Sequence, residues 1–400
     1  MKRLTIRCLS LLFPLAIGAQ QPYASALTIG TVDSLWSRTL NENRKFLVYT
    51  PPSYHDTTYL PRAYPVVYLL DGDAHFHSFT GIIQALGTGV NGTFVVPEMI
   101  VVAIPNTDRM RDLSPTHVDA GLDGKLNPAM KSSGGMPNFL QFIKSELIPK
   151  IESSYRTAPY RMLVGHSLGG IAAIDALYTM PETFNSYIAI DPSLWWDHRV
   201  LLKEAKERLA KPGLTGRALY VAQANTLQAD DSLVNEHFGS IVQFNALVGA
   251  HPESGLRYAY KYYPSDSHGS VPLAAEYDGL RFIFEGYDLN LQRSVAHPTY
   301  VTEHYRDVSK LLGFLVPPPE STIDLLGHLA LASDTTNAIT FFEMNAALYP
   351  RSAKAWDALG EGWQAKGEAK KAIGFYEKSL ALRPGNKHAK DMIAKLSGAK

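Results

Sequence analysis

Two short runs, residues 66–70 (VVYLL) and 99–104 (MIVVAI), contain no charged or strongly polar residue, and turn formers stop them at Asp71-Gly72 and Pro105-Asn106. A strand with one wet face alternates apolar and polar residues, so a run that is apolar throughout predicts a central strand covered on both faces. Covering both faces requires helices between the strands, and the sequence supplies them. Residues 44–50, 161–164, 187–190, 218–222 and 258–263 are further strand-like runs, while 138–151 and 171–180 space Phe, Ile, Leu and Ala as helices do. The predicted fold class is α/β. Residues 106–137, polar and rich in Gly, Ser and Asp, read as a long surface loop.

The chain's 400 residues, 46% apolar and 19% charged, suit about two globular domains. Lys plus Arg and Asp plus Glu balance at 38 each, so no global field draws the chain to nucleic acid or to anionic lipid. Lys2, Arg3 and Arg7 precede an apolar run over 8–19, and Ala24-Ser25-Ala26 offers a small-residue cleavage site. Residues 1–26 therefore read as a secretory signal peptide, too short in its apolar part to span a bilayer. The expected location is the periplasm, with secretion to the medium as second choice. The single cysteine, Cys8, lies in that segment, which excludes disulfides, thiolate metal sites and a cysteine nucleophile from the mature chain.

An α/β sheet domain is expected over 27–290, a connecting helix and proline-rich linker over 291–318, and helical repeats over 319–400. Pro317-Pro318-Pro319 continues neither a helix nor a central strand. Beyond it Leu325, Leu329, Ala338, Phe342 and Pro350 recur 34 residues later as Leu359, Trp363, Ala372, Tyr376 and Pro384, the period of a tetratricopeptide repeat. Two such repeats are too few to stand alone, so they are expected to pack on the first domain or to receive a protein partner.

The chemistry centres on Gly165-His166-Ser167-Leu168-Gly169-Gly170, a G-x-S-x-G pattern entered by an apolar run and left by a helix-forming one. A nucleophile on a strand-to-helix turn needs flanking glycines because the helix packs too closely on the sheet for a β-carbon. The competing reading is a serine that merely caps a helix. A serine also needs a base, and His268, in Asp266-Ser267-His268-Gly269-Ser270 after a strand-like run, is the best-placed histidine. The acid is expected behind residues 218–222, where Asp231 leads, Asp230 follows, and Glu236 and Asp191 are further candidates; a Ser/His pair alone also remains open. Amides of Leu168 and of Gly72 or Asp73 are candidate oxyanion donors. Trp195 and Trp196 are candidates for a pocket wall and Arg109 for contact with an anionic group, although packing or pairing with Asp108 or Asp112 explains them as well. Asp71, Asp73, His75 and His77 are not read as a metal site.

The segments 66–73 (VVYLLDGD), 108–113 (DRMRDL), 165–170 (GHSLGG), 191–196 (DPSLWW) and 267–271 (SHGSV) together resemble the putative esterase family of α/β-hydrolases, which includes enterochelin, feruloyl and D-type esterases. The resemblance covers about residues 28–290 and implies an α/β-hydrolase sheet domain followed by the small all-α tetratricopeptide-like domain. It implies a serine esterase that cleaves a small-molecule carboxylic ester through an acyl-enzyme, with Ser167 and His268 as the catalytic pair, Gly72 and Asp73 in the oxyanion hole, and no metal or organic cofactor. Several relatives carry Glu or Asp where this chain has Asn225, so the third member stays open. The alternatives are acyl transfer to an alcohol or sugar, or a catalytically silent hydrolase fold that binds a partner.

Overall fold

The computed structural model describes residues 26–89, 94–121, 123–228 and 231–398. All but the last residue of the expected signal segment lies outside them, as does Asp230. Eight strands form one sheet in the order β1-β2-β4-β3-β5-β6-β7-β8: β1 (Thr31–Ser37), β2 (Glu42–Tyr49), β3 (Tyr64–Leu70), β4 (Ile100–Ile104), β5 (Thr157–His166), β6 (Ser186–Ile190), β7 (Ala218–Ala224) and β8 (Arg257–Tyr263). Strand β2 pairs antiparallel with β1 and β4, and every pairing from β4 to β8 is parallel. The seven runs read as strands each coincide with one of these, and β1, which is mostly exposed, is the addition.

The apolar runs are central because both faces are covered. Along β3, Val66, Tyr68 and Leu70 enter one core while Val67 and Leu69 enter the other. The first face is packed by α3 (Met136–Phe142), α4 (Ile148–Ser154), α5 (Leu168–Thr179), α6 (Trp196–Leu209) and α7 (Ser232–Gly249). The second is packed by α1 (Gly72–Gly87) and α8 (Val271–Ile283). The segment expected as a bare loop holds the short α2 (Arg109–Leu113), and the 138–151 helix runs from α3 to α4 through a π-helical stretch, Ile143–Leu147. The α2 segment is anchored by charge: Arg44, buried in β2, and Arg111 both bond Asp112, at 2.5 and 2.7 Å.

Past residue 290 the chain is helical: α9 (Leu291–Ala296), α10 (Thr299–Leu312), then α11 (Glu320–Leu331), α12 (Thr335–Leu348), α13 (Ala353–Ala365), α14 (Ala369–Leu382) and α15 (Lys387–Leu396). Helix α10 joins two cores. Its Val308 and Leu312 complete the α1/α8 face of the sheet, and one to two turns earlier Val301 and Tyr305 pack with Ile323, Leu326, Phe341 and Phe342 of the helical hairpins. Tyr59 Oη donates to Asp324 Oδ2 at 3.0 Å and the Leu60 amide to Glu320 Oε2 at 2.9 Å, fixing the hairpins to the segment between β2 and β3. Among the described residues no helix is long and apolar enough to cross a membrane.

Helix α5 carries an anomaly. Asp175 is only 8% exposed, and burial together with the charge of Glu204 raises its carboxyl to about 6. Because the folded value exceeds the unfolded one, the folded state favours the protonated form; this contribution is intact below about pH 4 and is lost as pH rises through about 6. Asp175→Asn should therefore be more stable than the parent at pH 8 by on the order of 2 kcal/mol and indistinguishable from it at pH 4. Urea unfolding at the two pH values checks this, and an equal gain at both would remove the charge as its cause.

Candidate active site

Strand β5 ends at His166 and α5 begins at Leu168, so Ser167 makes the whole turn between sheet and helix. Its backbone lies at φ 60° and ψ −115°, a region non-glycine residues rarely enter and typically one that costs about 1–3 kcal/mol. The turn is held by neighbours: the Ser167 amide donates to Ile190 O at 2.9 Å, and the Ser193 amide donates to Ser167 O at 3.1 Å. The glycines around it answer to close packing. A β-carbon on Gly165 would lie 2.2 Å from Gly169 O, and one on Gly170 would lie 3.0 Å from Pro192. Ser167 Oγ is 3.1 Å from Ser193 Oγ, a hydroxyl that the sequence reading did not single out.

The loop after β8 brings His268 to this turn, with its ring centroid 4.5 Å from that of His166. Among the described residues no hydrogen bond joins His268 to Ser167 Oγ; catalytic hydrogen bonds are often long in ligand-free enzymes. The partner of His268 Nδ1 is Asp191 Oδ2, at 2.5 Å. This corrects the expectation that the carboxylate would come from Asp231. Asp191 follows β6 and its φ of 42° turns it back over the sheet; its amide donates to Ala222 O and its Oδ1 accepts from the Ala224 amide, at 2.8 and 2.9 Å. Asp231 instead opens α7, its carbonyl accepting from the Asn235 amide at 3.0 Å. Glu236 pairs with Arg199 at 2.5 Å. Asn225, at the position where an acid was expected, pins the histidine loop: its amide donates to Asp266 O at 2.8 Å and its Nδ2 to Pro264 O at 3.1 Å.

Asp191 is fully buried, and burial alone would raise its carboxyl. Hydrogen bonds from His237 and His268 and the Ala224 amide outweigh that and hold it well below the ordinary carboxylate range. His237, on α7, is one of the histidines after Ser167 that the sequence leaves without a role; its Nε2 donates to the same Oδ2 at 2.9 Å. His166 moves the other way, lowered to about 4 by burial and by the proximity of His268 and His75, so it is neutral at pH 7.

Strands β3 and β5 are neighbours with Leu69 opposite Val164, which brings the N-termini of α1 and α5 side by side. The first amides of a helix have no intrahelical acceptor, and here those belong to Gly72 and Asp73 on one side and Leu168 on the other. A β-carbon on Gly72 would lie 2.7 Å from the Ile104 amide nitrogen, so α1 starts against β4 with no room to spare. Arg109 donates from Nε and Nη2 to Asp71 at 2.7 and 3.0 Å and from Nη2 to His166 O at 3.2 Å, tying the α2 segment to both helix starts. Trp196 is buried and its indole N–H donates to Thr116 Oγ1 at 3.2 Å, while Trp195 is half-buried; both line a 510 Å³ cavity with Val118, Met130, His198 and Glu236. The Trp196 amide donates to Ser193 O at 3.1 Å, which places this cavity beside the serine turn.

The family model described as Putative esterase matches residues 37–238. The ferri-bacillibactin esterase BesA of Bacillus subtilis is 29% identical over 277 residues, covering 65% of this chain and 91% of BesA. The siderophore enterobactin esterase of Emericella nidulans is 35% identical over 172 residues, which are 38% of this chain and 54% of that protein. The crystal structure of an IroE-like serine hydrolase from Shewanella oneidensis is 32% identical, with a TM-score of 0.72, over 80% of this chain and 99% of its own.

The two glycine contacts rank two substitutions. Gly165→Ala drives a β-carbon into a backbone carbonyl at 2.2 Å, and Gly170→Ala meets Pro192 at 3.0 Å, a tight contact that a shift of a few tenths of an ångström relieves. Overpacking typically costs about 1–3 kcal/mol, so Gly165→Ala should lower the melting temperature well beyond Gly170→Ala. Equal melting temperatures would mean that the turn is not set by this contact.

Proposed function

This chain belongs to the putative esterase family and is a carboxylic ester hydrolase, and from that premise we propose that it cleaves a siderophore ester through an acyl-enzyme on Ser167. The observation that carries the mechanism is the strained serine turn beside an imidazole whose Nδ1 is bonded to a buried carboxylate. Asp191 fixes the His268 tautomer with hydrogen on Nδ1, which leaves the Nε2 lone pair to take the serine proton. Ser167 Oγ attacks the ester carbonyl, and the displaced π pair becomes an oxyanion met by the Leu168 amide and by those of Gly72 and Asp73. Collapse breaks the carbonyl–alkoxy bond, His268 returns its proton to the departing alkoxide, and water repeats the sequence to free the acid and Ser167. The neutral His166 adds no positive charge beside the transient imidazolium. His237 keeps Asp191 oriented through the second bond to Oδ2.

The substrate class rests on the relatives, whose names record hydrolysis of ferri-bacillibactin and of the siderophore enterobactin. We further read the hairpins α11/α12 and α13/α14 as two tetratricopeptide-like repeats. In support, Ala338 and Ala372, 34 residues apart, are both fully buried, as are Phe342 and Tyr376.

Ser167→Ala should abolish ester hydrolysis and labelling by a fluorophosphonate while leaving the melting temperature nearly unchanged. Asp191→Asn should lower kcat by about 10²- to 10⁴-fold, and Asp231→Asn should leave it near the parent value. Undiminished labelling of the serine variant, or the reverse ranking of the two aspartates, sinks the assignment.

Substrate class is read separately, from kcat/KM on catecholate siderophore esters, iron-free and iron-loaded, against aryl esters and graded acyl chains. The siderophores should lead by more than about tenfold, which corresponds to 1.4 kcal/mol of transition-state discrimination. A preference for simple acyl esters would discard the siderophore reading and leave the hydrolase intact. Added alcohol should not divert the acyl group from water.

A further inference from the structure

Away from the serine turn, the helical hairpins hold a second group of ionisable side chains. Asp357 and Glu361 are one turn apart on α13, and His388 comes from α15. His388 Nδ1 is 2.9 Å from Asp357 Oδ2 and 3.8 Å from Glu361 Oε1, and one donor atom from each of the three residues lies within 4.8 Å of the others. On the other side Glu361 Oε2 is 2.9 Å from His328 Nε2 of α11, while His328 Nδ1 is 2.8 Å from the Asp324 carbonyl.

Three features point to a cation at this place. Asp357 is 7% exposed, yet its Oδ1 is buried without a hydrogen-bond partner among the described residues. An unpaired buried carboxylate oxygen is costly and needs an explanation. The second is the gathering of three carboxylates, those of Asp324, Asp357 and Glu361, about one ammonium, Lys354, 3.7 Å from Asp324, and the two imidazoles. The third feature is the anchoring of His328 and Glu361. His328 gives one ring nitrogen to the Asp324 carbonyl and the other to Glu361 Oε2, and carboxylates bound to a metal are commonly held by such outer partners.

We propose that Asp357, Glu361 and His388 bind a divalent transition metal, Zn²⁺ being the best chemical match, with His328 positioning Glu361. One imidazole nitrogen and two carboxylate oxygens suit zinc, which takes nitrogen and oxygen donors at about 2.0–2.2 Å, and water completes the shell. Tetrahedral ligands at that distance stand roughly 3.3 Å apart, so the 2.9 and 3.8 Å separations need only small side-chain adjustments. The ion ties α15 to α13. Helix α15 is otherwise held by a small cluster in which Ala389 is buried with Ala372 and Tyr376 and Met392, Ile393 and Leu396 are partly buried against them.

The test uses the full chain, stripped with a chelator and titrated with ZnCl₂ by calorimetry and thermal melting. One equivalent should bind and the melting temperature should rise with zinc concentration, since an ion that binds only the folded state stabilises it by mass action. His388→Ala should remove both responses and leave ester hydrolysis unchanged, and His328→Ala should weaken binding by about 10- to 100-fold. Cobalt(II) in place of zinc should give visible absorption that His388→Ala abolishes. Among the described residues Asp191, His237 and His268 form the other cluster with donor atoms this close, and zinc there would inhibit hydrolysis. The proposal is overturned if the parent shows no zinc-dependent rise in melting temperature, or if that rise persists in both His388→Ala and Glu361→Gln.

Discussion

A carboxylate removed from water has to be met by donors on every side, and Asp191 meets that requirement with three separate pieces of the chain. Its Oδ1 takes the amide at the end of β7, and its Oδ2 takes one imidazole from α7 and one from the loop after β8. Breaking one partner away from a buried charge commonly costs about 3–5 kcal/mol, so these bonds lock the ends of β6, β7 and β8 relative to one another. The position of His268 is therefore set by the sheet rather than by its own exposed loop, and the proposed base is preorganised before substrate arrives. Asn225 adds to this by gripping the same loop through backbone carbonyls.

The electrostatics of the other half of the site follow from strand order. Placing β3 beside β5 sets two helix N-termini next to each other, each with first amides that have no intrahelical acceptor, the pair proposed above to meet the oxyanion. Asp71, buried at the start of α1, puts a negative charge close to that place. The bidentate contact from Arg109 and the 2.7 Å bond from Asn106 Nδ2 absorb it, which holds the Asp71 carboxyl below its usual range against the opposing effect of burial. Arg109 thus supports the site through Asp71 and the His166 carbonyl whatever else its guanidinium meets.

The sheet was legible because its central strands are apolar without interruption, and Ser167 because a glycine-flanked serine between a strand and a helix has a short local signature. The carboxylate was not, because its identity depends on which strand end faces the histidine loop. The expected place behind β7 holds Asp231, which opens α7, while Asp191, a further candidate, stands directly after β6 in the DPSLWW segment. An aspartate following a fully apolar strand was the available signal. His237 had no such signal, since a histidine on a helix joins a site only through packing that local sequence does not encode. The α2 segment was read as plain loop for a related reason: the charges that order it, Arg44 and Glu42, lie about 70 positions earlier on β2.

The helical extension meets the sheet at the end away from this chemistry. Its polar contacts go to Thr57, Tyr59 and Leu60, which lead into the first residue of β3, whereas Asp71 and Ser167 stand past the last residues of β3 and β5. The strands themselves therefore separate the hairpins from the serine turn. Helix α10 makes the connection rigid, because successive turns of the same helix are buried in the sheet domain and in the hairpins, and neither core is closed without it. Such an arrangement adds a surface to the hydrolase without placing any of it over the serine turn. A ligand on the hairpins then acts on stability or on location, and influences turnover only through a sheet whose buried interior resists deformation.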